Sequence, residues 1–406
     1  MDTQPKTEFA GLLSGMRVLD LSVFIQGPLA TSILGDMGAD VIKLEKPGVG
    51  DYSRGGYFMH GVDFRLADGS TMFYQAFNRN KRGLSIDLGK PRGREVLHRL
   101  IKKTDVFVAG LQPSSLKRFG ADHDTLTSLN PQLVYAIASG FGPEGPEADA
   151  PANDPVGCAR SGFMYTFGEE PNYAKGGICD AMAATSLAFG IVSSLFARSR
   201  DGVARSVSAS LLGAMTWLQY FGVAVQSNLG HEFEPWDRKA VDNPLMNFYP
   251  CADGRFIMLG LYTDIYWHPT AFCEVMGIKH LQNDPRFSTM DARKKNGREL
   301  IAILDKSFLT KTSAEWTKVF RKLDLPFSLV NRIEELHSDP QIQANQYIVE
   351  FENGFKLSAS PFKMEKSDIP LRKGAPELGQ HTEEILLDLC GYTWPEIEEL
   401  KNAGAI

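Results

Sequence analysis

An α/β fold is predicted for this 406-residue chain, built on a doubly wound parallel sheet and followed by a smaller α+β domain. Short β-branched runs alternate with helical ones through the first 140 residues, the pattern of strands joined by crossover helices. Between Leu21 and Val41 there is room for one short helix, as a parallel connection requires. The length itself exceeds one ordinary core and implies two domains.

The first strand is Val18-Leu-Asp-Leu21, followed by a helix over 28–38 and a strand at Val41-Ile-Lys-Leu-Glu45. A helix over 92–103 and strands at Asp105-Val-Phe-Val108 and Leu133-Val-Tyr-Ala-Ile137 continue the series. Residues 143–175 are rich in Pro, Gly and Asp and read as loop. Asp180 then opens a long apolar helix that ends at Asp201-Gly202, before a strand over 205–210 and a second long helix over 211–226. A boundary falls near Asn228-Leu-Gly230. Beyond it come a strand-like segment, Gly254-Arg-Phe-Ile-Met-Leu-Gly260, and amphipathic helices as far as Leu336. The stretch 375–406 is helical again, and its Thr393-Trp-Pro-Glu396 matches a capping box, in which hydroxyl and carboxylate satisfy free N–H groups. The domain reading is a tail at 1–9, a large domain at 10–226, a small domain at 227–340 and a closing segment at 341–406.

A formal charge of −6 with 23% charged residues gives no electrostatic reason to expect a nucleic-acid partner. The first nine residues lack the basic and apolar regions of a signal peptide. The longest apolar run, 181–197, carries Thr185, Ser186, Ser193 and Ser194 and is shorter than a bilayer span of roughly 20 residues, so it reads as a core helix and no membrane is expected. Five cysteines without a CxxC pair fit the reducing cytoplasm, and eight histidines without HExxH spacing give no expectation of a metal.

Asp180, just ahead of the apolar helix, is expected to be its N-cap, a carboxylate that accepts backbone N–H groups. The same place favours an ionised nucleophile, and both roles can coexist. Gln26-Gly27-Pro28 follows the first strand, on the side where doubly wound sheets bind ligands, and reads either as a ligand loop or as a plain turn. No GxGxxG follows that strand, so a nicotinamide cofactor is not expected. Lys46, Lys81, Arg82 and Arg118 are cations near element ends, available to a phosphate or to solvent. His60, His123 and His381 have no Ser or Cys nearby that would make a triad and read as structural.

Taken in order, several segments resemble the class III CoA-transferases, which include formyl-CoA, carnitine and 2-hydroxyacyl-CoA transferases. They are Gly15-Met-Arg-Val-Leu-Asp-Leu21 with Gln26-Gly-Pro28, and Leu34-Gly-Asp-Met-Gly-Ala-Asp-Val-Ile-Lys-Leu-Glu45 with Gly50-Asp51. To these add Asn78-Arg-Asn-Lys-Arg82 with Leu84-Ser-Ile-Asp-Leu88, Ser139-Gly-Phe-Gly142 and Leu378-Gly-Gln-His-Thr-Glu383. The resemblance covers nearly the whole chain. It implies a Rossmann-like large domain completed by the C-terminus, a small domain on long linkers, and a homodimer of two interlocked rings. It places the nucleophile at Asp180, with a helix glycine at Gly190, and Gln26 as a holder of the thioester carbonyl. The implied CoA site is Gln26, Gly27, Lys46 beside the adenine, Ile86 to Gly89 including Leu88, Gly110, Leu111, Gln112, Arg118, Ser139, Gly140 and Phe141. CoA and acyl-CoA enter as substrates, alongside an organic acid, with no resident cofactor.

The family's oxalate enzymes carry a glycine run where this chain reads Asp242-Asn-Pro-Leu-Met-Asn-Phe-Tyr-Pro-Cys-Ala-Asp-Gly254, so oxalate is not the expected acid. The branch acting on 2-hydroxy and other bulky acids is closer. Phe248, Tyr249, Tyr262, Tyr266 and Trp267 could line an acyl pocket or simply form core. Two rivals remain: an α-methylacyl-CoA racemase, whose histidine is replaced here by Asn153, an amide that cannot act as a base near neutral pH, and a silent CoA-binding partner subunit.

Overall fold

The strand runs are apolar on both faces, and that sets the architecture. In a computed structural model, which describes residues 11–262, 264–267, 271–351, 354–360, 362–364 and 373–406, they form one parallel sheet. The tail expected at 1–9 lies outside the described residues. Along the chain come β1 (Arg17–Leu21), α1 (Gln26–Asp36), β2 (Asp40–Glu45), a hairpin of β3 (Phe58–Met59) and β4 (Val62–Asp63), α2 (Met72–Asn78) and β5 (Lys81–Ser85). Then follow α3 (Pro91–Ile101), β6 (Val106–Ala109), α4 (Pro113–Arg118), α5 (His123–Leu129), β7 (Val134–Ser139), α6 (Asp154–Arg160), α7 (Ile178–Asp201), β8 (Val207–Ser210), α8 (Leu211–Leu218) and α9 (Tyr220–Leu229).

The sheet order is β5-β2-β1-β6-β7-β8, which among these six strands is third, second, first, fourth, fifth, sixth: the doubly wound Rossmann order. Alternate residues serve opposite faces. Leu19, Ile42 and Phe107 join a core with Leu97 and Leu100 of α3, whereas Val18, Val41 and Val106 join one with Leu34 of α1 and Leu187 and Ile191 of α7. Burial on both faces is why these strands are continuous apolar runs rather than alternating ones.

The long apolar helix is α7, closed by Gly202 in the left-handed region at φ 75°. By length and composition it could cross a membrane, but Ala184, Leu187, Ala188 and Ile191 form a stripe buried against the sheet. A Cβ on Gly190 would stand 2.6 Å from Val207 Cγ1, so this glycine lets α7 lie close on β8. The second long helix expected over 211–226 is two helices, broken at Gln219, whose amide donates to the carbonyls of Ser161 and Met215. Ser210 caps α8 by accepting from Gly213 N–H at 2.9 Å.

The chain divides into two compact units. The first runs to Thr166 and adds Glu170–Phe233 and Gln346–Ile406, and the second is Phe167–Glu169 with Glu234–Asn345. In the second, β9 (Phe248–Pro250), β10 (Phe256–Leu259) and β11 (Phe327–Leu329) make an antiparallel sheet. With it go α10 (Ala271–Val275), α11 (Met290–Lys295), α12 (Gly297–Phe308), α13 (Ser313–Lys322) and α14 (Pro340–Asn345). Its core settles one expectation about the aromatics: Tyr249 stacks on Phe308 at 4.8 Å, and both Tyr249 and Trp267 are fully buried, so these two are packing rather than pocket. Tyr262 is exposed.

Back in the first unit, a hairpin of β12 (Ile348–Glu350) and β13 (Lys356–Ser358) leads towards the C-terminal helices α15 (Thr382–Asp388) and α16 (Trp394–Asn402). Ile385, Leu386, Ile397 and Leu400 complete the core under α3, and the Thr393–Glu396 capping box forms. His381 exchanges hydrogen bonds with the Gly83 backbone of β5, a structural role.

Candidate active site

Because all six strands run the same way, their carboxyl ends share one edge, and most of the sequence-predicted ligand residues collect there. Gln26 and Gly27 follow β1, Lys46 follows β2, Ile86 and Leu88 follow β5, Gly110, Leu111 and Gln112 follow β6, and Ser139, Gly140 and Phe141 end or follow β7. The order of strands reverses between β1 and β6, and outside such a switch point a crevice forms. Gly27 and Gly110 lie on the turns that follow those two strands. A Cβ on Gly27 would stand 2.3 Å from Ser22 Oγ and one on Gly110 2.6 Å from Ser22 Cβ, so Ser22 fits only because both neighbours are glycine.

The side chains behave less uniformly than the backbone. Ile86 and Leu88, 2% and 6% exposed, belong to the hydrophobic core, so only the backbone of their turn is open to a ligand. Leu111 also leans on that core, and Gln112 donates to the Asp149 carbonyl at 3.2 Å. Lys46 is exposed and makes no ion pair among the described residues. Arg118 is set apart at the far end of α4, exposed and lying over the Phe119 ring at 4.9 Å. Ser139 Oγ, by contrast, is buried at the end of β7 with no hydrogen-bond partner among the described residues.

The turn from β1 to α1 is pinned by buried charge. Asp20 accepts from Ser22 N–H and from the Ser22 hydroxyl, and its other oxygen accepts from Lys81 Nζ and Thr31 Oγ1, each at 2.8 Å. Lys43 donates to the Ser22 carbonyl and to Asp51 at 2.9 Å, and Asp51 accepts from Phe24 N–H at 3.2 Å. Burial works to raise Asp20, but Lys43 and Lys81 outweigh it and hold the carboxyl at about 2. Phe24 is thereby kept in the left-handed region at φ 63°, stacked on Tyr52. Such a conformation persists in a bulky residue only where its surroundings over-determine it. Gln26 and Gly27 begin α1, and among the described residues their backbone N–H groups find no acceptor. The Gln26 amide donates to the Ala209 carbonyl at 3.0 Å, which spends one of its two protons.

Asp180 is not the N-cap. Gly177 is, at φ 73°, with Gly176 before it at φ 109°; this pair makes a left-handed entry that a residue with a side chain rarely adopts. Asp180 stands third in the helix. The N–H groups of Cys179 and Asp180 are accepted by Asp154 Oδ2 at 2.8 and 3.0 Å, and Asp154 Oδ1 accepts from Tyr173 Oη at 2.6 Å. The Asp180 carboxylate is 8% exposed and makes no hydrogen bond among the described residues. Burial first, and the Asp154 carboxylate second, push it up to about 7. The expectation that capping keeps Asp180 ionised is therefore overturned, because the helix donors are already spent on Asp154. Cys158 and Cys179 lie within 4.8 Å of Asp154, and burial pushes Cys158 up to about 11. With the Cys158 thiol, which donates to Oδ1 at 3.9 Å, four donors take up the lone pairs of Asp154, so this cluster reads as a hydrogen-bonded knot. His60, at the tip of the β3–β4 hairpin, lies 6.0 Å from the Tyr173 ring.

Sequence reasoning missed Asp154 and Tyr173, which sit in or beside loop and carry no local signal. It also missed the Asp20–Lys43–Lys81 network, although charged residues inside apolar strand runs are tolerated only when paired, and that pattern could have found it.

A doubly wound parallel sheet whose β-to-α turns gather on one edge, with a buried carboxylate of raised pKa in the same unit, suits an α/β enzyme. A family model described as CoA-transferase family III matches residues 13–382, and the chain belongs to that family. It is 34% identical to an acyl-CoA transferase of Fusarium pseudograminearum (strain CS3096), over 99% of this chain and 90% of that protein. It is 31% identical to the (R)-2-hydroxy-4-methylpentanoate CoA-transferase of Clostridioides difficile, over 97% of this chain and 99% of that one. A CAIB/BAIF family protein from Brucella suis has the same fold, with a TM-score of 0.83 and 26% identity over 94% of this chain and 100% of that one. The protein is a CoA-transferase, moving CoA from an acyl-CoA to a carboxylic acid.

Proposed function

We propose that this CoA-transferase serves a 2-hydroxy acid or another bulky organic acid and that Asp180 is its nucleophile. The similarity to the 2-hydroxy-4-methylpentanoate enzyme supports the substrate class. The observation that carries the nucleophile is the Asp180 carboxylate, buried and, among the described residues, without a hydrogen bond. Water solvates a carboxylate heavily and blunts it; a site that withholds both water and donors leaves it basic enough to attack.

An Asp180 oxygen attacks the carbonyl carbon of the donor thioester, and the C–S bond breaks to give an aspartyl acyl anhydride and CoA thiolate. The thiolate attacks the aspartyl carbonyl, releasing the donor acid and leaving an aspartyl-CoA thioester. The acceptor carboxylate attacks that thioester in turn, forming a second anhydride and thiolate. Thiolate attack on the acceptor's acyl carbon then yields the new acyl-CoA and frees Asp180. Oxyanion donors for these steps are the free N–H groups of Gln26 and Gly27 and the second Gln26 amide proton. CoA lies along the strand ends, its adenine near Lys46, against the backbone of 86–89 (Ile86 and Leu88 included) and against Gly110, Leu111, Gln112, Ser139, Gly140 and Phe141. Arg118 meets a phosphate.

The chain works as an interlocked homodimer. The exposed Phe189 and Phe196 of α7, with Trp217, Tyr220 and Phe221 of α8 and α9, support this, since a monomer rarely exposes so much aromatic surface together. Five free cysteines support a reducing, cytoplasmic setting. Incubation with acyl-CoA followed by hydroxylamine will leave a hydroxamate on Asp180, read by peptide mass spectrometry, and none in Asp180→Asn, whose transfer rate falls roughly 10³-fold or more. A racemase or a silent subunit gives no hydroxamate in the parent protein, and that result sinks the reading.

A further inference from the structure

We propose that Asp154 is a positioning residue for CoA transfer: by occupying the N–H donors at the start of α7, it leaves the Asp180 carboxylate unbonded and ready to attack. This rests on Asp180 being the nucleophile.

The first N–H groups of a helix have no partner within it and must find one outside. An acidic side chain at the third position commonly folds back towards the N-cap and is stabilised there by the helix dipole. Asp180 has that position and does not do so. Gly177, the N-cap, brings no side chain, and Asp154 takes the Cys179 and Asp180 N–H groups with a single oxygen. Its second oxygen is fixed by Tyr173 Oη, so the carboxylate cannot turn away. Asp154 is itself 5% exposed and stands at the start of α6, whose cap is Asn153.

Among the described residues, the titratable groups that act on Asp180 include no cation. From α6 come the Asp154 carboxylate and the Cys158 thiol, from the segment before α7 the Tyr173 hydroxyl, and from α7 the Cys179 thiol. Burial pushes both thiols and the tyrosine up, so all three are neutral near pH 7. Only Asp154 adds a charge, and its sign opposes ionisation of Asp180. A second carboxylate so close stores the repulsion that bond formation relieves: once Asp180 is acylated, its charge is gone and the Asp154 cap remains.

The test is Asp154→Asn, which keeps an oxygen for the two N–H groups while removing the charge. Titration of Asp180, followed by carbon-13 NMR of aspartate-labelled protein and assigned against Asp180→Asn, will move down by about one pH unit. The acid limb of the kcat profile will move with it, kcat on the plateau will fall roughly tenfold as the nucleophile becomes less basic, and KM for acyl-CoA will stay within about twofold. An unmoved Asp180 titration in the folded variant, or a change in KM alone, overturns the proposal. Tyr173→Phe covers the case in which Asp154→Asn does not fold: it removes a donor that shares the Asp154 charge, so the limb and the titration will rise by a few tenths of a unit. If neither moves, the proposal fails. The NMR arm reads Asp180 without turnover, so a failure of the nucleophile assignment, seen as no hydroxamate in the parent protein, stays distinct from a failure of Asp154.

Discussion

Asp20 and Asp180 are two buried aspartates of one α/β unit, 0% and 8% exposed, and they end at opposite extremes. Burial pushes both upwards. Beside Asp20 stand Lys43 and Lys81, which overcome burial and hold it at about 2; beside Asp180 stands Asp154, which adds to burial and carries it to about 7. The sign of the neighbouring charge, rather than depth, separates a carboxylate held ionised from one whose pKa is raised. Asp20 also accepts four hydrogen bonds from its surroundings, whereas Asp180 accepts none among the described residues.

The contrast can be broken most forcefully at Asp20. Asp20→Asn leaves Lys81 without its ion-pair partner in a dry interior, and the unfolding free energy in urea will drop by about 3–5 kcal/mol. Replacing Lys81 by Met in the same background will recover part of that loss, because the uncompensated charge is removed.

Asp180→Asn will do the reverse. The folded protein holds the Asp180 proton up to about pH 7, while the unfolded chain releases it near the ordinary aspartate value of 3.8. Between those values the folded state binds more protons than the unfolded one, so stability falls as pH rises through the window. The asparagine variant escapes this loss. At pH 8 it will be more stable than the parent by roughly 2–4 kcal/mol, with the gap closing towards pH 4. Denaturant midpoints across that range check it, and an equal gap at both ends contradicts the raised pKa.

A smaller effect sharpens the picture at the crevice. Gly27→Ala drives a methyl into Ser22 and will cost about 1–3 kcal/mol. Ser22→Gly in the same chain will return most of it, measured by thermal unfolding, since the clash lies with that one side chain.

Strands such as those read at Val18-Leu-Asp-Leu21 and Asp105-Val-Phe-Val108 were legible because burial on both faces writes itself into sequence as apolar runs. The gathering of Gln26, Gly27, Gly110 and Ser139 on one edge was legible for a related reason: parallel strands put every β-to-α turn there. The break at Gln219 was not, for it has no glycine or proline and depends on the carbonyl of Ser161, 58 residues away. With Gly177 as the helix cap, the cap position expected of Asp180 was wrong. A linear reading pairs it with its own helix, whereas its donors are held by Asp154, 26 residues earlier. Tyr249 and Trp267 look alike in sequence to pocket aromatics, and only their packing against Phe308 and Gln282 separates core from cavity.

Ser22 is wedged between Gly27 and Gly110, and its backbone is tied to Asp20 and Lys43. Two turns that share one brace cannot shift independently. The turns after β1 and β6 are therefore held in one fixed relation, and any local adjustment must come from segments beyond the reach of that brace.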